Sequence, residues 1–522
     1  MVSTVASAAL QGMEAVMLHV EVDAAQGLPG FMMVGYLSSE VKEAGERVRV
    51  ALKNSGISIP PMRITVNLSP ADVRKAGTAF DLPIAVGLLK ALKKLPEECS
   101  DKTVVAGELS LDGAVNPVKG ILPLVKKAKE AGYEKCIVPL WNKEEGELVP
   151  DIEVIGVESL EETIKVLEGE KKQQKKTSIK NPITYPFECG KETAGNAENT
   201  EIAEPDFADV NGQAQARRAV EIAAAGFHHM LLIGPPGSGK TMIASRVSGV
   251  LPPLTLEESL EVTAVHSVAG CLDSGNVLIR ERPFLSPHHT VTEPALAGGG
   301  RIPRPGIVSL AHKGILFLDE MPEFRQRILD MLRQPLEEKK IHIARMGGNY
   351  DFPADFMLIG AMNPCPCGYY PDYNKCKCTL AAVKKYQNRV SGPILDRIDI
   401  CAEVSRTGLK ELTENGKNES SSSMRERVLK ARRMQEERFK DTSYRFNSEI
   451  EARDIEKYCK LGKAEKKLMK QAFTTMDLSA RGYHKILRVA RTIADLDESA
   501  EIREIHLAEA IGCRMNSEKY QI

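Results

Sequence analysis

One octapeptide constrains this chain more than any other: Gly234-Pro235-Pro236-Gly237-Ser238-Gly239-Lys240-Thr241. It follows an apolar run, Met230 to Ile233, and leads into a segment with helix-forming character, so the order is strand, glycine-rich turn, helix. That order is the structural context in which G-x-x-x-x-G-K-[ST] means a phosphate site. The glycines let backbone N–H groups turn inward around phosphate oxygens, and the start of the helix adds partial positive charge. Lys240 is placed to reach the β- and γ-phosphates, and the Thr241 hydroxyl to ligate Mg²⁺.

Nucleotide hydrolysis needs a second acidic element on a neighbouring strand. Gly314 to Glu320, GILFLDE, supplies one: a buried apolar strand ending in Asp319 and Glu320. Asp319 is expected to hold Mg²⁺, and Glu320 to polarise the attacking water, which requires a base within hydrogen-bonding reach. Such a pair alone is weak, because many strands end in solvated carboxylates. About 80 residues beyond a phosphate loop it is strong. A further apolar strand, FMLIGAM, ends at Asn363. Asn363 is expected to position the water or sense the γ-phosphate; the alternative is a turn residue before Pro364.

The chain has 522 residues, enough for about three or four domains. Residues 1–168 read as one α/β unit, with strand-like runs at VMLHVEVDAA, MRITVNLSPA, KCIVPL and IEVIGV. A helix there places Val41, Val48, Ala51 and Leu52 on one face. Residues 169–205 lack apolar periodicity and read as a linker; their lysines 171, 172, 175, 176 and 180 suit a solvated tether or a nucleic-acid contact. Residues 206–404 form a second α/β unit. A polar break at 414–423 precedes a helical remainder, so 405–522 is expected to be helical. No stretch approaches the roughly 20 apolar residues of a membrane span. Lys+Arg 70 against Asp+Glu 71 excludes a wholesale polybasic binder but not a local basic channel. The start of the chain has no signal-peptide pattern, and the scattered cysteines suit a reducing cytoplasm.

These elements, in this order, resemble the AAA+ ATPases, with VNGQAQARRAVEIAAAG as the helix before the phosphate loop. Three longer stretches narrow the resemblance: RERPFLSPHHTVTEPALAGGGRIPRPGIVSLAHKGILFLDE, SGPILDRIDI and LSARGYHKILRVARTIADL. Together they are similar to the magnesium-chelatase-like AAA+ ATPases of the YifB type, the family of the competence proteins called ComM. The resemblance implies a ring, in the family a hexamer, that uses ATP and Mg²⁺ to drive DNA remodelling such as branch migration. It assigns Arg397 as the finger that reaches the neighbouring subunit's γ-phosphate, a contact contributing about 10³–10⁵ in rate. A surface arginine paired with Asp396 or Asp399 is the alternative. Arg481 matches the second sensor arginine of the helical lid, with Arg488 and Arg491 as substitutes in another register. His288 and His289 receive no chemistry. Lys339, Lys340 and Arg345 flank an expected hairpin, EEKKIHIARMGGNYDFP, that either faces DNA phosphates in a ring or is an ordinary charged hairpin.

The N-terminal unit resembles the Lon-protease domain (ribosomal protein S5 domain 2-like), most clearly at VNPVKGILPLVKKAKEAGYEKCIVPLWN. Peptidase chemistry there needs a Ser–Lys dyad. The matching positions are Ala79 and Leu122, which supply neither nucleophile nor base. The fold class these resemblances imply is α/β: a Lon-like α/β domain without its dyad, a P-loop AAA+ α/β core and a C-terminal α-helical lid. Within 365–378 two C-x-C pairs, Cys365/Cys367 and Cys376/Cys378, are expected to offer four thiolates to a structural Zn²⁺, or to remain reduced thiols. A competing reading is a magnesium-chelatase motor subunit acting in metal insertion into a porphyrin. The N-terminal domain counts against it, and a regulatory module without remodelling activity is a further alternative.

Overall fold

The computed structural model describes residues 2–169, 205–272, 277–300, 303–345, 348–406, 408 and 418–519. Apart from its end residues 169 and 205, the expected linker lies outside them, as do its five lysines.

The N-terminal α/β unit is built on seven strands: β1 (Val2–Gln11), β2 (Glu14–Ala25), β3 (Gly30–Val34), β4 (Arg63–Ser69), β5 (Thr103–Val105), β6 (Lys135–Pro139) and β7 (Glu153–Val157). Their order is β3-β4-β2-β1-β5-β6-β7. β1 and β2 form an antiparallel ladder, and β5, β6 and β7 run parallel. Leu18, Val20 and Val22 alternate with His19 and Glu21, so the period-two pattern turns one face of β2 into the core. Against that face lie α1 (Ala44–Asn54), which buries Val48, Ala51 and Leu52, and α2 (Asp81–Ala91), apolar along most of its length. Gly87 lets α2 approach closely: a Cβ there would stand 2.8 Å from Val22 Cγ2.

The central unit has the phosphate-loop strand β8 (Met230–Ile233), then β9 (Phe284–Leu285), β10 (Ile315–Leu318), a hairpin of β11 (Lys340–Arg345) and β12 (Gly348–Pro353), β13 (Met357–Met362) and β14 (Ile400–Glu403). Five of these make a parallel sheet ordered β9-β10-β13-β8-β14. Strands β8, β10 and β13 are buried throughout, as parallel strands covered on both faces must be. Their side chains divide between two cores. Met230, Leu232, Phe317 and Ile359 face α5 (Ala214–Gly226). Leu231, Ile233, Leu316 and Leu358 face the other way and share a core with Ile341, Ile343 and Phe352 of the hairpin.

The helical remainder comprises α9 (Ser421–Phe439), α10 (Lys463–Thr475), α11 (Ala480–Leu496) and α12 (Glu504–Lys519), after α6 (Lys240–Arg246), α7 (Leu256–Ala269) and α8 (Leu380–Gln387) of the central unit. It does not stand apart: Val428, Ile486 and Ile493 lie in the same buried cluster as Ala223 and Leu232. The expected polar break at 414–423 is shorter than its composition suggests. Ser420 caps α9, accepting from Ser423 N, and Ser421 is buried with its hydroxyl accepting from Phe207 N at 2.9 Å. Serine's short oxygen satisfies helix-end donors, which is why a serine run opens a helix here.

The N-terminal unit also carries α3 (Ile121–Glu130) and α4 (Leu160–Leu167), and the loop before α3 and the start of that helix dock on the C-terminal end of α7. Lys119 Nζ donates to Ala269 O at 3.1 Å, and Gly120 N to Ser267 O at 3.2 Å. The Ser267 hydroxyl donates to Glu145 Oε1 at 2.5 Å, which also accepts from Leu122 N at 2.8 Å. Burial pushes the Glu145 carboxyl up. Leu122, matched to the Lon lysine, is a core residue at this junction.

Candidate functional site

The phosphate loop leaves β8 at Gly234, whose Cβ, were there one, would meet Val404 O at 2.1 Å. Gly237 (φ +71°) and Gly239 (φ +90°) adopt left-handed backbone that other residues resist. The turn delivers Lys240 to the first position of α6. Lys240 Nζ donates to Gly234 O (2.8 Å), Pro235 O (3.0 Å) and Asn363 Oδ1 (3.0 Å). Burial lowers its pKa, with Asp319 and Glu320 acting in the opposite direction.

Because β13 lies between β8 and β10, Asn363 and the Asp319/Glu320 pair emerge side by side at the same end of the sheet. Thr241 Oγ1 donates to Asp319 Oδ2 at 2.6 Å, and Asp319 Oδ1 accepts from Glu320 N at 2.9 Å. Glu320 is exposed and sits at φ +48°. That conformation costs a non-glycine residue about 1–3 kcal/mol, strain of a kind that clusters at functional sites. Together Pro236, Ser238, Lys240, Thr241, Asp319, Glu320 and Asn363 line a cleft of about 460 Å³. A hydroxyl beside a carboxylate is an oxygen donor set suited to Mg²⁺.

The two arginines assigned by resemblance are not in this cleft. Arg397 Nη2 pairs with Glu337 at 2.6 Å, rather than with Asp396 or Asp399. Arg481 Nη2 lies 3.4 Å from the same Glu337 Oε1 and is 65% exposed. Asp399, two residues beyond Arg397, accepts from His229 N at 3.0 Å and pairs with Lys485 of α11 at 2.8 Å. Lys485 and the neighbouring histidines hold its carboxyl well below the usual range. The loop carrying Arg397 and the helix carrying Arg481 are thereby fastened together. Of the substitutes, Arg491 is spent on Asp495 (3.1 Å) and the carbonyls of Ser499 and Ala500, and Arg488 is half-buried. Glu337 had no signal in the sequence beyond being one acid in a charged segment.

The expected hairpin forms, with Lys340 opposite Pro353 and Arg345 opposite Gly348. Lys340 and Arg345 are exposed. Of the two readings left open for Lys339, the structure favours the ordinary charged hairpin: it pairs with Asp355 at 3.3 Å and with Glu449 of the helical region. His288 bonds Thr290 at 2.8 Å and His289 lies edge-on to Phe324, in keeping with structural roles. The four cysteine Sγ atoms lie within 4.8 Å of one another. Among the described residues no helix is long and apolar enough to cross a membrane.

A five-stranded parallel sheet with the phosphate loop on one strand, the acidic pair two strands away and an asparagine between them defines a P-loop ATPase core of the AAA+ type. Comparison with known proteins agrees. Residues 206–412 match the family described as "Magnesium chelatase, subunit ChlI", residues 20–142 that described as "Subunit ChlI of Mg-chelatase", and residues 418–514 that described as "Magnesium chelatase, subunit ChlI C-terminal". The chain is 41% identical to competence protein ComM of Haemophilus influenzae over 97% of its length and 96% of that protein's. It is 40% identical to the protein YifB of Escherichia coli, over 98% and 97% respectively. Lon protease 2 of Bacillus subtilis is 31% identical over 128 residues, 24% of this chain and 22% of that protein. The chain belongs to the magnesium-chelatase-like family of ComM and YifB.

Proposed function

We propose that this protein is a cytoplasmic, ring-forming ATPase, in its active form a hexamer, that couples ATP hydrolysis to DNA remodelling of the helicase or branch-migration kind, in recombination or natural transformation. The observation that carries the reading is a cleft complete on one side only. Lys240, Thr241, Asp319, Glu320 and Asn363 converge there, while Arg397 and Arg481 meet on Glu337 outside it. A single chain thus holds a nucleotide-binding half and an arginine-bearing half, and a second copy is needed to join them.

In this mechanism the loop 234–241 holds the phosphates, and Lys240 exchanges its backbone carbonyls for phosphate oxygens. Thr241 and Asp319 would hold Mg²⁺, which neutralises phosphate charge. Glu320 accepts a proton from the attacking water, with Asn363 orienting it. Arg397 and Arg481 of the adjacent subunit stabilise charge developing on the transferred phosphoryl group. The division 1–168, 169–205, 206–404 and 405–522 into Lon-like domain, linker, ATPase core and lid fits this scheme. The DNA assignment rests on the near-full-length relative named as a competence protein and on the exposed Lys340 and Arg345 of the hairpin. A structural Zn²⁺ on Cys365, Cys367, Cys376 and Cys378 completes the proposed cofactor set.

The matching family descriptions favour one second reading, a chelatase motor. A chelatase description also matches residues 20–142, so the N-terminal domain does not by itself separate the two. ATP turnover with and without single-stranded and branched DNA does. DNA-stimulated turnover with strand movement is expected, and Glu320→Gln should lower turnover by about 10²–10⁴ while retaining ATP. ATPase activity indifferent to every DNA tested would overturn the DNA reading and leave the ATPase reading standing.

A further inference from the structure

The four-cysteine loop lies against the nucleotide cleft, and the contacts between them are specific. Cys365 follows Asn363 by two residues, and Asn363 Oδ1 is an acceptor for Lys240. Between them Pro364 O is fixed by the buried Gln387 Nε2 at 2.9 Å. Further along, Gly368 (φ +82°) rests on the phosphate loop: a Cβ there would stand 2.2 Å from Pro236 Cδ. Arg406 joins the two surfaces from outside. Its Nη2 donates to Tyr369 Oη at 2.9 Å and to Pro236 O at 3.4 Å, with the guanidinium 5.1 Å over the Tyr369 ring.

The sulfurs have the arrangement a tetrahedral metal requires. A tetrahedron with Zn–S bonds of about 2.3 Å has edges of about 3.8 Å. The Sγ atoms of Cys365 and Cys367 are 3.4 Å apart, those of Cys365 and Cys376 3.8 Å, and those of Cys367 and Cys376 3.6 Å. All four cysteines are free, and these separations far exceed a disulfide bond of about 2.05 Å. Tyr370 N points at Cys365 Sγ from 3.4 Å, a donor that stabilises thiolate. Turns bring the two pairs together, with Gly368 N donating to Cys365 O at 2.9 Å and Cys376 N to Asp372 O at 2.7 Å. Only Cys365 of the four is fully buried, and the segment between the pairs is largely exposed. Four thiolates fill a zinc ion's coordination, so the metal is structural and takes no substrate.

We infer that this tetrathiolate zinc site is a structural part of the nucleotide pocket, setting both the Asn363 wall and the outer face of the phosphate loop at Pro236, so that loss of zinc disables nucleotide binding without unfolding the chain. The inference rests on the ATPase reading above. Losing the metal would free the loop from Pro236 and displace Asn363, and misplacement on the 1 Å scale is costly in a phosphate site.

The full chain, purified under reducing conditions, is analysed for metals and titrated with a fluorescent ATP analogue. It is then stripped with a chelator and refilled with Zn²⁺. One zinc per chain is expected. Stripping should weaken analogue binding by roughly tenfold to a hundredfold, with secondary structure by circular dichroism retained, and Zn²⁺ but not Mg²⁺ should restore it. The double variant Cys376→Ser/Cys378→Ser should behave as the stripped protein does. Gly368→Ala, which keeps all four ligands, should retain zinc yet weaken binding. Protein that contains no zinc, or iron in its place, overturns the inference, as does stripped protein that binds the analogue with unchanged affinity. Zinc-loaded wild type that bound no nucleotide would instead sink the ATPase reading, and the coupling with it, while the metal count stood.

Discussion

Lys240 shows how a single residue is poised between two states. Its ammonium is partly desolvated, and two of its three acceptors are backbone carbonyls of its own loop. A phosphate offers full negative charge in place of these dipoles, so nucleotide binding relieves the desolvation that the free site imposes. His229 illustrates a purely structural titratable group. Burial lowers its pKa to about 4, and its Nδ1 accepts from Leu358 N at 3.1 Å, a bond that protonation would break. The unfolded histidine takes up a proton below about pH 6.5, whereas the folded one stays neutral until about pH 4. Unfolding therefore binds a proton across that window, and stability falls as pH falls through it. A group shifted this far contributes a loss of about 3 kcal/mol by the bottom of the window. The melting temperature should drop steadily from pH 7 to pH 4, and His229→Gln should flatten that decline. An unchanged slope in the variant would assign the acid sensitivity elsewhere.

At the scale of elements, the helical lid is organised around one buried carboxylate. Asp495 of α11 is fully buried and accepts from Arg438 of α9 (Nη1, 2.7 Å), from Arg491 (Nε, 3.2 Å) and from Asn447 (Nδ2, 2.8 Å). Removing it leaves two guanidinium groups short of their counter-charge, and breaking a buried pair in this way costs about 3–5 kcal/mol. Asp495→Ala should lower the denaturation midpoint of the chain accordingly; a shift near zero would mean that water or a neighbouring acid replaces the carboxylate. No reading of the sequence singled out Asp495. The strands β8, β10 and β13 and the phosphate loop were legible because local pattern and motif coincide there. The helix α9 was legible in its charged middle but not in its serine-rich start, where a cap outweighs composition. Lys339 stayed between two readings in the sequence for a related reason. A charged residue beside a hairpin looks solvated until the fold brings Asp355 and Glu449 to it. Local chemistry is written in local order, whereas partners over 100 residues distant are not.

At the scale of the whole molecule, the question is why two arginines that suit a phosphate should stand away from one. Glu337 occupies both: Arg397 at 2.6 Å and Arg481 at 3.4 Å. Both lie on elements fastened by the Asp399–Lys485 pair, so they move as one face. In the proposed ring, a γ-phosphate presented by a second copy would carry more charge than Glu337 and draw both arginines, making catalysis conditional on assembly. In this scheme Arg397→Ala should bind ATP normally and fail to turn it over, by about 10³–10⁵, while Lys240→Ala should fail to bind. Mixing the two inactive variants creates interfaces in which the intact phosphate loop of one chain meets the intact arginine face of the other. Phosphate release should therefore reappear in the mixture, rising with the fraction of mixed rings. If mixing restored no activity under conditions where the subunits exchange, Arg397 would act within its own chain, and the separation of the two half-sites would need another explanation.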